Sequence, residues 1–270
     1  MSVEENLKKL FSLEGKVILI TGAAGGIGSV ISEGLAGAGA TMALCDLDVP
    51  KSEELAKKIC SDGGSASAFA LNIAKTDNIH TCVEEVIAKY GRIDVLVNCA
   101  GINRREGLLD VKEETYDKIM DINLKGLYFM SQEVGKHMFK AKKGNVINIA
   151  SFNSTLMLGG CSVYGATKSA VWGLTRSMAI EWAPYGIRAN AIAPGHIITP
   201  LTTVTWEHPT RAPYLRDRIA MERPGTPEEL VGITVMLASD SSSYITGALY
   251  NVDGGATAGG KAWDFDTEYK

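Results

Sequence analysis

Residues 16–21, KVILIT, run directly into T-G-A-A-G-G-I-G at 21–28 and then into an amphipathic stretch that reaches about residue 38. A short, continuous apolar run rich in β-branched residues is the signature of a strand covered on both faces. A glycine-rich turn between such a strand and a helix lets the backbone approach a pyrophosphate. Its charge is met by the first amides and the positive dipole end of the helix. This unit predicts a parallel α/β sheet with a nucleotide at its edge, cradled by Gly22, Gly26 and Gly28, with Ile27 among them.

The rest of the chain repeats the alternation. A second strand at 41–45 closes on Asp46, placed to accept from adenosine ribose hydroxyls and to repel a 2′-phosphate. Ala23, Ala24 and Leu47 offer no cation to hold such a phosphate, so the reading favours NAD over NADP, against the plainer alternative of a loop carboxylate or helix cap. A helix at 51–60, a strand at 66–71, a helix at 76–90 and a strand at 93–97 follow, ending in Asn98-Cys99-Ala100-Gly101. A continuous helical region is expected over 113–142 with Asn123 inside it, then a strand at 145–149, a helix at 164–182 and strands at 187–192 and 248–252. Thr226 and Pro227 suit the N-cap and first position of a helix. Strands separated by helices imply right-handed crossovers. The expected fold is α/β: a single-domain doubly wound parallel sheet, a Rossmann fold, with about seven strands and helices on both faces. It is one domain over 1–270, with an irregular substrate lid at about 200–225 and a tail at 256–270 whose Trp263, Phe265 and Tyr269 suggest anchoring.

Chemistry enters with Tyr164 and Lys168, one helical turn apart and so on one face. An ordinary phenol, with a pKa near 10, is a poor proton carrier at neutral pH, and a neighbouring ammonium is expected to bring it down. Ser151, beyond the strand at 145–149, is placed to aim a hydroxyl at a substrate oxygen. Alone, a Tyr–Lys pair at this spacing is also what a solvated helix face looks like, and it is the cofactor cradle that gives it a task.

Several classes are disfavoured. The net charge is −4 and no long basic run offers the footprint of a nucleic-acid binder. No apolar run approaches the ~18 residues of a spanning helix, and the N-terminus lacks the apolar core of a secretory signal. Five cysteines, without a C-x-x-C spacing, are read as reduced thiols of a cytoplasmic protein. The four histidines are not paired with one another at helical spacing, nor clustered with cysteines, so no metal site is expected.

Taken together, T-G-x-x-x-G-x-G, N-C-A-G, Asn123, Ser151, Y-x-x-x-K, P-G-x-x-x-T at 194–199 and the terminal V-D-G-G resemble the classical short-chain dehydrogenases/reductases from residue 13 to 255. That resemblance implies roles. Tyr164 would be the acid/base, with Lys168 lowering its pKa and binding the nicotinamide ribose. Ser151 would polarise the carbonyl, and Asn123 would hold a water linking Lys168 to solvent. Ile197 and Thr199 would meet the nicotinamide carboxamide. Asn72, Ile73, Asn98, Ala100, Gly101, Pro194 and Gly195 would complete the NAD site. Cys99 stands where the family usually has a second asparagine, and Asn72 where an aspartate commonly meets adenine. A homotetramer is implied by the same resemblance.

F-S-L-E-G-K-V, G-I-N-R-R and G-x-P-E-E-L look like the branch of sugar, polyol and sugar-acid dehydrogenases that includes gluconate 5-dehydrogenase. The expected substrate is thus a small polyhydroxylated molecule. Arg104, with Arg105, is a candidate for pairing with an anionic substrate, and equally for a solvated loop. Asn153, His196 and Trp206 are candidate pocket walls, and Cys161 an inert one. A reductase of 3-oxoacyl or steroid-like ketones is the alternative. A non-catalytic NAD-binding scaffold would not need Ser151, Tyr164 and Lys168 together.

Overall fold

The computed structural model describes residues 2–200 and 202–262. A first helix, α1 (Val3–Phe11), opens with a capping box in which Ser2 and Glu5 satisfy each other's backbone amides. There follow β1 (Val17–Thr21), α2 (Gly28–Gly37), β2 (Thr41–Asp46), α3 (Val49–Ser61), β3 (Ser65–Ala70), α4 (Thr76–Tyr90) and β4 (Val95–Asn98). The second half contributes α5 (Glu113–Met120), α6 (Leu127–Ala141), β5 (Gly144–Ile149), α7 (Ser162–Trp182) and β6 (Ile187–Pro194). Short helices α8 (Thr203–Trp206) and α9 (Arg211–Arg216) precede α10 (Val231–Ala238) and β7 (Leu249–Val252).

All seven strands are parallel, in the order β3-β2-β1-β4-β5-β6-β7. The order reverses between β1 and β4, which opens a crevice at their carboxyl ends. Every residue of β1, β4 and β5 is buried, as the apolar runs require of strands covered on both faces. One core layer joins the sheet to α4, α6 and α7 through Val83, Val86, Val134 and Val171. The other joins it to α2, α3 and α10 through Ile31, Leu35, Leu55 and Leu237. Full burial of each such aliphatic side chain contributes roughly 1.5–3 kcal/mol.

Element boundaries shift by a residue or two from the sequence expectations, but one expectation is corrected. The helical region from 113 is not continuous: Asp121–Gly126 is a π-helical segment between α5 and α6. Wider turns of this kind accommodate one extra residue and recur at functional sites. Pro227–Leu230 is a 3₁₀ turn leading into α10, with Thr226 and Glu229 forming the capping box. The aromatic residues expected to anchor the tail lie outside the described residues.

Candidate active site

The first glycine turn is built by close approach. Gly22, at φ 70°, passes so near Ala100 that a Cβ would lie 2.8 Å from the Ala100 Cα, and a Cβ on Gly28 would meet the Gly22 carbonyl at 2.1 Å. No side chain fits at either place. Thr21 Oγ1 accepts from the amides of Cys99 and Ala100, both at 3.1 Å, and ties the end of β1 to the end of β4. Gly26 faces the Thr199 side chain, where a Cβ would lie 3.1 Å away. Asp46 is fixed against the same turn. Its Oδ2 accepts from Ala24 N and its Oδ1 from Asp48 N, each at 2.9 Å.

β5 ends beside the second half of the site. Lys168 is buried and its Nζ donates to the Ile149 carbonyl at 2.7 Å, with the Tyr164 ring centroid 5.7 Å away. Burial lowers the amine pKa to about 8. Ser151 Oγ accepts from Asn153 N at 3.1 Å. Gly101 leaves room at this point, since its absent Cβ would be 3.5 Å from both Lys168 Nζ and Asn123 Oδ1. The π-helical segment delivers Asn123, whose Oδ1 accepts from Ile102 N and whose Nδ2 donates to Ile102 O, both at 2.8 Å, and to Thr167 Oγ1 at 3.3 Å. These side-chain bonds clamp the chain after β4 onto α7.

One further expectation is corrected, and two candidates are placed. Tyr164 lies above, not below, its ordinary range: burial of the phenol dominates, and hydrogen bonding with Ser151 only partly opposes it. The Lys168 ammonium is directed to a backbone carbonyl, which is why it does not reverse that direction. Asn98 turns its side chain away from the crevice, donating to Ser131 Oγ and Asn148 Oδ1 at 2.9 Å in a fully buried network that continues to Thr175. Arg104 is exposed and its Nε pairs with Glu106 Oε1 at 2.7 Å, so its guanidinium is already matched.

The other candidates divide between core and wall. Ile73 and Ile197 belong to the two core layers, and Ile197 is held in register by a bridge to Gly225. Pro194 ends β6, and Gly195 packs against Asp253, where a Cβ would lie 2.6 Å from its Cα. The Asn72 side-chain oxygen accepts from Ala74 N at 3.2 Å. The His196 ring lies between Phe152, tilted at 58° with centroids 4.8 Å apart, and Trp206, edge-on at 5.9 Å. Burial, with a smaller contribution from the nearby Arg105 charge, lowers its pKa to about 4, which leaves the imidazole neutral. Asn153 is 2% exposed and its Oδ1 has no partner among the described residues. A buried amide oxygen without a donor is costly unless a bound molecule satisfies it. Cys99, pushed by burial up to about 12, and Cys161, buried, are inert thiols.

Sequence reasoning missed Thr21 as the tie between strands and Asn148 as the partner of Asn98; only the T-G dipeptide and the N-I-A-S string marked them.

The family model described as enoyl-(acyl carrier protein) reductase matches residues 22–257. The chain is 41% identical over 243 residues to 3-oxoacyl-(acyl-carrier-protein) reductase of Thermotoga maritima, covering 90% of this chain and 98% of that one. It is 39% identical over 251 residues to 2-dehydro-3-deoxy-D-gluconate 5-dehydrogenase of Escherichia coli, covering 91% and 96%. A gluconate 5-dehydrogenase from Burkholderia cenocepacia, solved in complex with NADP and tartrate, superposes with a TM-score of 0.91 at 36% identity, over 93% of this chain and 99% of that one.

Proposed function

Because the chain belongs to the classical short-chain dehydrogenase/reductase family, we propose that it is an NAD-dependent oxidoreductase interconverting a secondary alcohol and a ketone, or a sugar hydroxyl and its oxidised form, on a small sugar, sugar acid or polyol. The observation that carries this reading is the meeting of Ser151, Tyr164 and Lys168 at the carboxyl edge of β5, next to the space left by Gly101. The cradle fits a nicotinamide dinucleotide: bare backbone at Gly22 and Gly28, Thr199 against Gly26, and a fixed carboxylate at Asp46. Such a cofactor supplies the hydride acceptor or donor.

The chain's own residues handle the proton. Tyr164 Oη gives a proton to the ketone oxygen, or takes it from the alcohol, while Ser151 Oγ donates to the same oxygen and stabilises its developing charge. Lys168 lies beside the phenol, its Nζ 5.7 Å from the ring centroid, and Asn123 positions the segment next to it. A phenol held neutral by burial is suited to proton donation, and so to ketone reduction near neutral pH. His196, neutral and wedged between two aromatic rings, acts as a wall rather than a second acid.

The NAD preference rests on Asp46, whose charge disfavours a 2′-phosphate; the Burkholderia relative was solved with NADP. A polyhydroxylated substrate is supported by the unpartnered Asn153 oxygen and by the sugar-acid relative. The 3-oxoacyl reading is supported by the Thermotoga relative. We read residues 200–225 as the substrate lid, since its base is pinned where Ile198 N and Gly225 N donate to Gly225 O and His196 O at 2.9 Å. Five free cysteines support a cytoplasmic setting; among the described residues no helix is long and apolar enough to cross a membrane. We read the chain as a homotetramer by its likeness to the family, with the open apolar groove lined by Leu124, Tyr128, Phe129, Ala170 and Leu174 as a face for contact between copies.

The deciding experiment is a panel of sugars, sugar acids, polyols, 3-oxoacyl thioesters and steroids followed by NADH absorbance. Turnover confined to the last two classes rejects the sugar reading, and turnover on none rejects the dehydrogenase.

A further inference from the structure

Away from the crevice, α4 and α6 pack side by side through Val83, Val86, Met130 and Val134. Their outer rims carry His80 and Glu84 on one helix and Glu133 and His137 on the other. Each pair is spaced by one helical turn, in opposite order, so that each histidine faces the other helix's glutamate. His80 Nδ1 lies 2.8 Å from Glu133 Oε1, and His137 Nε2 lies 2.9 Å from Glu84 Oε1. Donor atoms of His80, Glu84 and Glu133 all fall within 4.8 Å of one another, the one such grouping among the described residues. His137 lies outside that grouping and reaches it through Glu84 alone; its side chain is 20% exposed and that of Glu133 12%, against 63% for His80 and 49% for Glu84. Lys136 occupies Glu133 Oε2, the oxygen that His80 does not use.

We propose that His80, Glu84, Glu133 and His137 form a binding site for a single borderline transition-metal dication, Zn²⁺ foremost, that bridges α4 and α6. Two imidazole nitrogens and two carboxylate oxygens are a donor set suited to tetrahedral zinc, with bonds of about 2.0–2.2 Å. Ca²⁺ and Mg²⁺ are disfavoured, since they demand six or more oxygens. The ion takes the place of the protons that now join each histidine to its glutamate; His80, Glu84 and Glu133 already lie within reach of one ion, and His137 completes the shell by turning from Glu84 towards it. Binding then acts as a staple between two helices of the same core layer and adds to the stability of the fold. The sequence signal is H-x-x-x-E at 80–84 with E-x-x-x-H at 133–137, which a search for histidine–histidine or cysteine spacings passes over.

The test uses the full-length, tag-free protein stripped with a chelator and titrated with Zn²⁺ or Co²⁺. The expected result is one Zn²⁺ per chain by equilibrium dialysis, the visible absorption of tetrahedral Co²⁺, and a Tm raised by several degrees at saturating Zn²⁺. The His80→Asn/His137→Asn variant is expected to lose all three while keeping the circular dichroism and metal-free Tm of the parent. Glu84→Gln/Glu133→Gln is the second variant, should the first not fold. Two outcomes overturn the proposal: a parent that gives neither the Co²⁺ spectrum nor the Tm shift, so that the four residues form ion pairs only, or a folded variant that binds metal as the parent does.

Discussion

Lys168 Nζ donates to the Ile149 carbonyl at 2.7 Å, so the ammonium of α7 is fastened to the last residue of β5. The bond satisfies a strand-end acceptor and fixes the amine 5.7 Å from the Tyr164 ring, but it spends the cation's best hydrogen bond away from the phenol.

One consequence is thermodynamic. Burial lowers the Lys168 pKa from 10.5 to about 8, so between these values the unfolded chain binds more protons than the folded one and stability rises with pH. Below pH 8 the full cost, about 3 kcal/mol, is present. Lys168→Met removes it. Urea midpoints of parent and variant should converge as pH rises from 8 towards 10.5, with the variant gaining most at pH 7. A difference independent of pH would show that Lys168 is not held at a lowered pKa.

Tyr164 gives a kinetic prediction. With burial holding the phenol above its ordinary range, kcat/KM for alcohol oxidation should rise with pH well past 8, whereas ketone reduction should already be efficient at pH 7. Tyr164→Phe should lower kcat by about 10²–10⁴-fold in both directions. Retention of most of the turnover would remove Tyr164 from the chemistry.

Asp46 is testable through cofactor choice. Asp46→Ala removes the charge and frees Ala24 N, and with Leu47→Arg it supplies a cation for a 2′-phosphate. The ratio of kcat/KM for NAD to that for NADP should fall at least about tenfold in the double variant, given that each 1.4 kcal/mol of lost discrimination is a factor of ten. Equal efficiency with both cofactors in the parent would refute the role.

Asn98 should behave as a structural residue. Asn98→Ala leaves Asn148 and Ser131 without their buried partner, a loss of about 1–3 kcal/mol. Thermal unfolding should therefore shift down by about 5 °C, with KM for NAD within twofold of the parent.

His196 predicts an acid-side effect. Its pKa of about 4 in the fold lies below the ordinary 6.5, so as pH falls through that interval the unfolded chain takes up the proton first and the fold loses stability. His196→Phe keeps an aromatic ring between Phe152 and Trp206 and removes the titration. The Tm of the variant should drop less than that of the parent between pH 7 and pH 5.

The strand–glycine–helix unit, the seven strands and the Tyr164–Lys168 face were legible because each depends on near neighbours in sequence. Periodicity sets the elements, and one helical turn sets the pair. What was not legible depends on packing across the fold. Asn98 reads as a crevice residue until Ser131 and Asn148 are seen to face it, and Arg104 reads as a free guanidinium until Glu106 closes on it. The sign of the Tyr164 shift is a contest between burial and charge, which spacing alone does not weigh. The helix at Val3–Phe11 was within reach, because Ser2 and Glu5 form a capping box, but its charged composition carried the reading instead.

The π-helical segment at Asp121–Gly126 puts α5 and α6 out of phase with each other. A π turn absorbs one residue more than regular α-winding, so deleting a single residue there would restore regular winding and remove the bulge that presents Asn123. The bonds from Asn123 to Ile102 and Thr167 would then have no common orientation. Chain length in this segment is thus as constrained as residue identity, and an insertion or deletion tolerated in a surface loop would here uncouple the sheet edge from α7.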